Sequence, residues 1–424
     1  MTKNDLKSKI HKRDSRNYYI VGPNASGKSY FLDIIFNELS NAFYFRESGE
    51  VTITENRSRV RISSGKYMYI DETQRGQIRA VNKESEGISE NASNIVNYAF
   101  KIKETIDIAH ISLGTRKLNR IIDSFLSFNL NSIKYILIDE PENSLDDKNL
   151  KVIAGLIKTL TQNNYVVVIV THSPRLLEIM NADLDDIFVF QKPFDDSVRH
   201  LCFRDAVNLF DSVGKELNDL SKQSPQKIKN IDKMSFAPLT KLRHYYLLSL
   251  LHSIEFYQTL FYLDVFIVEG LTELYLIKNI QNELPFANNY FVANGKFRIP
   301  FLIDLFSSLC ETVHCFYDTD FKTNKISFSS NLTYFITERY KNDVAVNLYR
   351  IPKDIESFLE IDEKTAIAKI SNIENVSNEF YNSFLSRYKE YLCLSFIDSD
   401  DGSREKIIKL FRGLKPNAQF DNFD

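Results

Sequence analysis

Residues 22–29 of the chain read Gly22-Pro23-Asn24-Ala25-Ser26-Gly27-Lys28-Ser29. This octet fits the pattern Gly-x-x-x-x-Gly-Lys-[Ser/Thr], in which a glycine-rich loop opens a helix. Successive backbone N–H groups in such a loop bind phosphate at the amino terminus of the helix. We therefore expect Lys28 to neutralise the β- and γ-phosphates of a nucleotide and Ser29 to hold Mg²⁺.

The residues around this loop predict the architecture that the loop requires. Residues 17–21 are a short apolar run typical of a buried strand, and residues 30–39 carry apolar side chains at helical spacing. Further dense apolar runs lie at 134–138, 165–170 and 187–190. Continuous apolar strands that alternate with helices are typical of a parallel sheet covered on both faces, so we predict an α/β fold.

Other parts of the first half have weaker patterns. Short alternating runs within residues 41–80 predict a small antiparallel sheet, and residues 99–127 are predicted to be helical.

Two carboxylates follow the strand predicted at residues 135–138. Asp139 is placed to hold Mg²⁺ through water, and Glu140 to orient or deprotonate an attacking water molecule. An apolar strand that ends in Asp-Glu is common by itself, but here it follows a phosphate loop in the same unit. The combination favours a nucleotide-hydrolysing site.

Three shorter motifs occur in the order that such a site needs. Ser112-Leu113-Gly114-Thr115 precedes a predicted helix, whose amide-rich start, with Ser112 and Gly114, is suited to a γ-phosphate. Residues 143–146 follow the carboxylate pair. His172 ends the next strand, where it is placed to sense the γ-phosphate.

In this order the motifs resemble those of the ABC-type ATPases, over residues 17–190. Walker A is Gly22–Ser29, the signature is Ser112–Thr115, Walker B is Ile136–Glu140, the D-loop is Ser144–Asp146 and the switch histidine is His172. The resemblance implies ATP as cofactor, with Mg²⁺, and a head-to-tail homodimer in which one subunit's signature closes over the other's ATP. The signature keeps only the serine and one glycine of a typical L-S-G-G-Q. Either Gln74 or Gln77 is the candidate Q-loop residue.

Acidic residues follow predicted strands in the second half as well. The candidate metal ligands are Glu269, Glu273, Asp318, Asp320, Asp354 and Glu356. Acids from several strand ends of a parallel sheet converge at its carboxyl edge. Because clustered carboxylates repel one another, hard divalent ions such as Mg²⁺ or Mn²⁺ would satisfy them, and two ions would support phosphodiester cleavage.

The strand-Glu-Gly-x-Thr-Glu unit followed by Asp-x-Asp resembles the Toprim domain, over about residues 263–400. With an ABC-type ATPase in front, the chain resembles the OLD (overcoming lysogenisation defect) family of ATP-dependent nucleases. This implies metal-dependent cleavage of DNA in antiphage defence, with a helicase-like protein or a retron reverse transcriptase and its DNA as a partner. Glu269, Asp318 and Asp320 would be catalytic. Lys415 is the matching candidate for a late catalytic lysine, in competition with Lys406 and Lys409.

Length and composition set the limits of these interpretations. The chain has 424 residues, 43% of them hydrophobic and 26% charged, with a formal charge of −3. This charge excludes a polybasic protein but not a local basic patch.

We predict an ATPase domain at 1–204, a helical linker or dimerisation segment at 205–262, including one amphipathic helix at 238–261, and a Toprim domain at 263–424. The lack of a long apolar run or signal segment predicts a cytoplasmic protein without a membrane partner. The cysteines lack metal-ligand spacing.

Several alternatives remain open from the sequence, among them a transporter ATPase and a non-enzymatic effector or scaffold whose Toprim-like unit only binds nucleic acid. Two more concern DNA-binding ATPases and basic clusters. One is a DNA-repair or chromosome-maintenance ABC-type ATPase that binds DNA without cleaving it, although the segment between Walker A and the signature lacks sustained heptads. The other concerns basic clusters at 116–120, 222–233 and 404–415, which either contact phosphates or are solvated faces.

Overall fold

The structure is a computed structural model of the chain. It describes residues 1–14, 17–48, 50–55, 58–62, 89–105, 113–127, 130–192, 195–223, 236–280, 289–319, 328–351, 367–368, 371, 377–380 and 405. The chain divides into two compact units. The first comprises Met1–Phe203 and Leu251–Phe261, and the second Arg204–Leu250 and Tyr262–Asp424. The segment predicted as a linker, 205–262, is therefore divided between them.

A mixed sheet of eight described strands forms the centre of the first unit. The strands are β1 (Asn17–Val21), β2 (Ala42–Phe45), β3 (Val51–Glu55), β4 (Ser58–Ile62), β5 (Tyr135–Asp139), β6 (Val166–Val170), β7 (Ile187–Phe190) and β8 (Val198–Arg199). Their order is β4-β3-β2-β5-β6-β1-β7-β8. The five strands from β2 to β7 in this order run parallel, and β3, β4 and β8 are antiparallel to their neighbours.

The helices of the described residues follow in chain order. They are α1 (Lys3–Lys12), α2 (Lys28–Glu38), α3 (Glu90–Thr105), α4 (Leu113–Ser127), α5 (Asp147–Gln162), α6 (Pro174–Met180), α7 (Phe203–Gln223), α8 (Phe236–Leu251), α9 (Ile254–Thr259), α10 (Leu271–Ile280), α11 (Ile299–Ser307) and α12 (Phe328–Tyr340). Every residue of β5 and β6 is buried, which is the burial expected of central strands covered on both faces.

Of two helix predictions, the first was confirmed and the second was wrong. The described residues between 99 and 127 are helical and belong to α3 and α4, which pack against each other. The single helix predicted at 238–261 is α8 and α9. Ser253 begins α9 by accepting a hydrogen bond from the N–H of Phe256 (3.1 Å), so a serine N-cap divides the apolar pattern.

The second unit contains a described sheet of four parallel strands. These are β9 (Asp264–Val268), β10 (Tyr290–Val292), β11 (Thr312–Asp318) and β12 (Val346–Ile351), in the order β10-β9-β11-β12. Because all four run in one direction, their carboxyl ends share one edge of the sheet. In the described part of the chain, the helices are too short or too polar to cross a membrane.

Candidate functional site

The loop between β1 and α2 has a backbone that its glycines make possible. Gly22 has φ +135°, and a Cβ there would lie 1.9 Å from the carbonyl oxygen of Phe190. Gly27 has φ +86° and begins α2 without a side-chain cap. The first N–H groups of α2 are therefore left for a ligand, as a phosphate loop requires. Asn24 and Ala25 are exposed at the tip, and Ser26 is buried.

The Lys28 side chain lies across this loop and is only 4% exposed. Its Nζ donates to the carbonyl oxygens of Gly22 (3.0 Å) and Pro23 (2.8 Å) and to Ser26 Oγ (3.3 Å). Burial lowers the pKa of Lys28 to about 8, although the carboxylates of Glu140 and Asp139 favour its charged form. The ammonium thus lies within the loop that was predicted to bind phosphate.

Ser29 and Asp139 bring two oxygen atoms together between α2 and the end of β5. Ser29 Oγ donates to Asp139 Oδ1 at 3.0 Å. Two neighbouring ligands of an octahedral Mg²⁺ are separated by about 3 Å, so the pair fits this ion. Burial raises the pKa of Asp139 to about 6, and the Ser29 hydrogen bond opposes the rise. A cation at this position would offset the cost of the buried carboxylate.

Glu140 and His172 come together from neighbouring strands. Glu140 follows β5 and has φ +47°, and its Oε1 lies 3.2 Å from Nε2 of His172. Burial raises the pKa of Glu140 to about 7, helped by Glu47 and Glu142, and lowers the pKa of His172 to about 4, helped by Lys28. A carboxyl group with this pKa is suited to proton transfer near neutral pH.

Three residues that were not predicted as part of the nucleotide site lie around the Glu140–His172 pair. Oε1 of Glu142 accepts hydrogen bonds from Oγ1 of Thr171 (2.8 Å) and from the N–H of His172 (2.6 Å). Glu47 accepts from Nδ2 of Asn143 (2.6 Å). Lys117, placed by the sequence in a basic cluster, is 9% exposed and its Nζ donates to the Glu140 carbonyl oxygen (2.7 Å). Lys117 is therefore not part of a solvated face, which corrects that alternative for this residue.

The predicted signature and D-loop meet within the same chain. Gly114 lies in the first turn of α4, and a Cβ there would be 2.2 Å from the carbonyl oxygen of Ser144. Asp146 caps α5 by accepting from the N–H of Asn149 (2.8 Å). Ser112 lies outside the described residues, as do the Q-loop candidates Gln74 and Gln77.

In the second unit, two of the predicted metal ligands end adjacent parallel strands. Glu269 directly follows β9, and its N–H donates to the carbonyl oxygen of Phe316 in β11 (3.2 Å). Asp318 ends β11, two residues beyond this contact. The side chains of Glu269 and Asp318 are thus brought to the same edge of the sheet.

Two further polar residues lie around Glu269. Glu273 is 6% exposed, and its Oε2 accepts from the N–H of Gly270 (2.8 Å), which closes the turn into α10. Lys296, 4% exposed, has its Nζ 3.6 Å from Oε2 of Glu269. Its ammonium therefore partly neutralises this carboxylate.

The other predicted site residues of the second unit fall outside the described residues. They are the metal-ligand candidates Asp320, Asp354 and Glu356 and the candidate catalytic lysine, Lys415. Among the residues that the structure does describe, no group of three or more His, Cys, Asp or Glu is arranged to hold a metal. The described edge thus presents part of the predicted acid set.

Comparisons with known proteins give matches to ATPases. Residues 61–178 match a family of AAA domains described as a putative AbiEii toxin of a type IV toxin–antitoxin system. The chain is 27% identical over 203 residues to a probable ATP-dependent transporter, ycf16, of Trieres chinensis, covering 42% of this chain and 78% of that protein. It is 25% identical over 174 residues to the macrolide export ATP-binding/permease protein MacB of Campylobacter jejuni, covering 37% of this chain and 26% of that one.

Two solved structures match part of the chain at low sequence identity. The dimeric structure of MJ0796, a bacterial ABC transporter cassette, is 19% identical and covers 44% of this chain and 85% of its own, with a TM-score of 0.27. The SMC head domain from Thermotoga maritima is 15% identical. The match covers 44% of this chain and 90% of that domain, with a TM-score of 0.25. The loop geometry and the sequence matches support a P-loop ATPase fold.

Proposed function

We propose that this protein binds and hydrolyses ATP with Mg²⁺ in its first unit and cleaves DNA with divalent metal ions in its second. The observation that carries the ATPase proposal is the approach of Glu140 Oε1 to His172 Nε2 beside the Ser29–Asp139 pair. A phosphate loop, a pair of metal-ligating oxygens and a carboxyl group suited to proton transfer are the parts that hydrolysis of a nucleoside triphosphate needs.

Each side chain has a separate task in this proposal. Lys28 exchanges its loop carbonyl partners for phosphate oxygens, and Ser29 with Asp139 holds Mg²⁺, which supplies charge neutralisation when bound. Glu140 orients the attacking water and accepts its proton. His172 keeps the Glu140 carboxylate in place through the 3.2 Å contact. We further propose that two chains associate head to tail and that Ser112 and Gly114 of one complete the ATP site of the other.

The nuclease proposal rests on the resemblance to the OLD family and is supported by the sheet of the second unit. Glu269 and Asp318 end adjacent parallel strands, which is the placement that a Toprim-type metal site requires. We propose Glu269, Glu273, Asp318 and Asp320 as its ligands for Mg²⁺ or Mn²⁺. Asp354, Glu356 and Lys415 remain candidates on sequence grounds.

The same resemblance suggests a role in defence against phage, in the cytoplasm, with DNA as substrate. The matching family's description as a putative toxin is compatible with an effector that acts on nucleic acid. The accessory partner proposed from sequence is a reverse transcriptase with retron DNA or a helicase-like protein. The alternative is an ABC-type ATPase that binds DNA in repair or chromosome maintenance without cleaving it.

A cleavage assay separates these two functions. We expect the purified protein to convert supercoiled plasmid to nicked or linear DNA in the presence of Mg²⁺ or Mn²⁺ and not in EDTA. Asp318→Ala should reduce cleavage at least about 100-fold, because loss of a metal ligand removes activation of the nucleophile, while ATP binding stays unchanged. The rate of plasmid conversion and the affinity for a fluorescent ATP analogue measure the two effects.

Glu338→Ala is the matched control, since Glu338 is an acid of the same unit that pairs only with the exposed Lys341 in the described contacts. It should cleave like the unmodified protein. Cleavage that survives in Asp318→Ala, with contaminating nucleases excluded, would reject the site. DNA binding without metal-dependent cleavage by the unmodified protein would favour the alternative.

A further inference from the structure

Lys117 is a buried lysine close to the candidate ATPase acids. It lies in the second turn of α4 and is 9% exposed, whereas Arg116 beside it is exposed. Its Nζ donates to the carbonyl oxygen of Glu140 at 2.7 Å. Lysines are rarely buried without a partner, and the partner of Lys117 is the carbonyl oxygen of a proposed catalytic residue. This placement indicates a specific role for Lys117.

The backbone that Lys117 contacts has an unusual conformation. Glu140 has φ +47°, in the left-handed region that residues with a Cβ adopt only at a cost. Its carbonyl oxygen accepts from Lys117 and, at a longer 3.3 Å, from the N–H of Asn143. These two donors hold the peptide that follows β5 in one orientation. The direction of the Glu140 side chain toward His172 depends on that orientation.

The α4 helix is itself fixed relative to this turn. Gly114, one turn before Lys117, lies against the backbone of Ser144 so closely that a Cβ would be 2.2 Å from its oxygen. The helix can therefore present Lys117 to Glu140 with little freedom. A lysine on a solvated face would lack such a constraint.

Lys117 is also surrounded by acids. Burial lowers its pKa, while Glu142, Glu47, Glu140 and Asp139 all favour its charged form. The ammonium thus compensates a local excess of carboxylates, which would otherwise repel one another in a partly buried site. Its hydrogen bond to the Glu140 carbonyl oxygen holds it at the Walker B turn.

We propose that Lys117 is a positioning residue that fixes the backbone of Glu140, so that the carboxylate is aligned for attack by water on ATP. The inference rests on the proposed ATPase function and adds to it a residue that contacts neither nucleotide nor metal. A one-ångström misplacement of a catalytic group reduces turnover by about 100-fold, so the effect of losing Lys117 should be large and confined to turnover.

The test compares Lys117→Met, Lys117→Arg and Lys117→Gln in the full-length protein. Lys117→Met should lower kcat for release of phosphate from MgATP by about 10- to 100-fold, with the Kd for a fluorescent ATP analogue changed less than about twofold. Lys117→Arg, which keeps both charge and donor, should recover most of kcat. Lys101→Met, at an exposed lysine of α3, is the control and should behave as the unmodified protein.

Each result either supports or overturns the positioning role of Lys117. A folded Lys117→Met protein with unchanged kcat overturns the inference, as does a loss of affinity equal to the loss of kcat. If Lys117→Met does not fold, Lys117→Arg and Lys117→Gln are compared, and equal turnover in the two overturns it. Failure of all three to fold makes Lys117 purely structural. Absence of hydrolysis by the unmodified protein rejects the proposed function, and the inference with it.

Discussion

Glu140 and His172 show what burial does to a pair of ionisable side chains. Their facing atoms are 3.2 Å apart, and burial moves the pKa of Glu140 up to about 7 and that of His172 down to about 4. Between these values both groups are neutral, so the contact is a hydrogen bond between neutral partners. Above about pH 7 Glu140 loses its proton and His172 becomes the donor. The pair is therefore arranged to move a proton without a buried ion pair.

This pair predicts a pH dependence of stability in the metal-free protein. The pKa of Glu140 is raised above its unfolded value, so its contribution to the free energy of unfolding is present below about pH 4.5 and is lost as the pH rises to about 7. Glu140→Gln cannot lose this contribution. We expect the variant to gain stability relative to the unmodified protein between pH 5 and 8, measured by urea unfolding in EDTA.

The control for this experiment is Glu90→Gln. Glu90 is exposed in the first turn of α3, so the change affects a solvated side chain. The free energy of unfolding of Glu90→Gln should not show the pH-dependent gain over the unmodified protein that is expected for Glu140→Gln. If the free energy of unfolding of Glu140→Gln also differs from that of the unmodified protein by a constant amount between pH 5 and 8, the pKa of the Glu140 carboxyl is not raised.

At the level of elements, α4 and the turn after β5 make a close backbone approach beside the site. Gly114 permits it, because its missing Cβ would be 2.2 Å from the Ser144 oxygen. A comparable approach occurs at Gly155 in α5, where a Cβ would be 2.1 Å from the hydroxyl of Tyr98. Backbone cannot move as easily as the end of a side chain, so the two glycines should differ in their tolerance of substitution.

We expect Gly114→Ala to lower the free energy of unfolding by roughly 1–3 kcal/mol, because the first turn of α4 must move away from Ser144. Gly155→Ala should cost less, since Tyr98 can rotate and alanine favours a helix interior by about 1 kcal/mol. Urea unfolding without nucleotide measures both. Equal stability of Gly114→Ala and the unmodified protein would contradict the close approach.

The elements also show what could be predicted from sequence. The phosphate loop, the strand before it and the Asp139-Glu140 pair were identifiable, because local backbone geometry and residue order define them. Lys117 and Glu142 were not, because their partners lie 23 and 30 residues away in the chain and only the fold brings them together. The break between α8 and α9 could have been predicted from Ser253, a residue type that often begins a helix. It was missed because the apolar pattern continues through it.

At the scale of the whole molecule, two α/β units each place acidic side chains at the carboxyl ends of parallel strands. In the first unit these are Asp139 and Glu140, beside a phosphate loop, and in the second they are Glu269 and Asp318. The same topological rule thus gives each unit a candidate site for divalent cations. The first site is described more fully, since Asp320, Asp354 and Glu356 of the second lie outside the described residues.

The most direct test of the account is the release of phosphate from MgATP by the unmodified protein, Lys28→Ala and Glu140→Gln, with ATP affinity measured in parallel. We expect turnover by the unmodified protein, weak ATP binding by Lys28→Ala, and near-normal binding with at least about 100-fold slower release by Glu140→Gln. Unchanged ATP affinity in Lys28→Ala together with undiminished turnover in Glu140→Gln would contradict the assignment of this site.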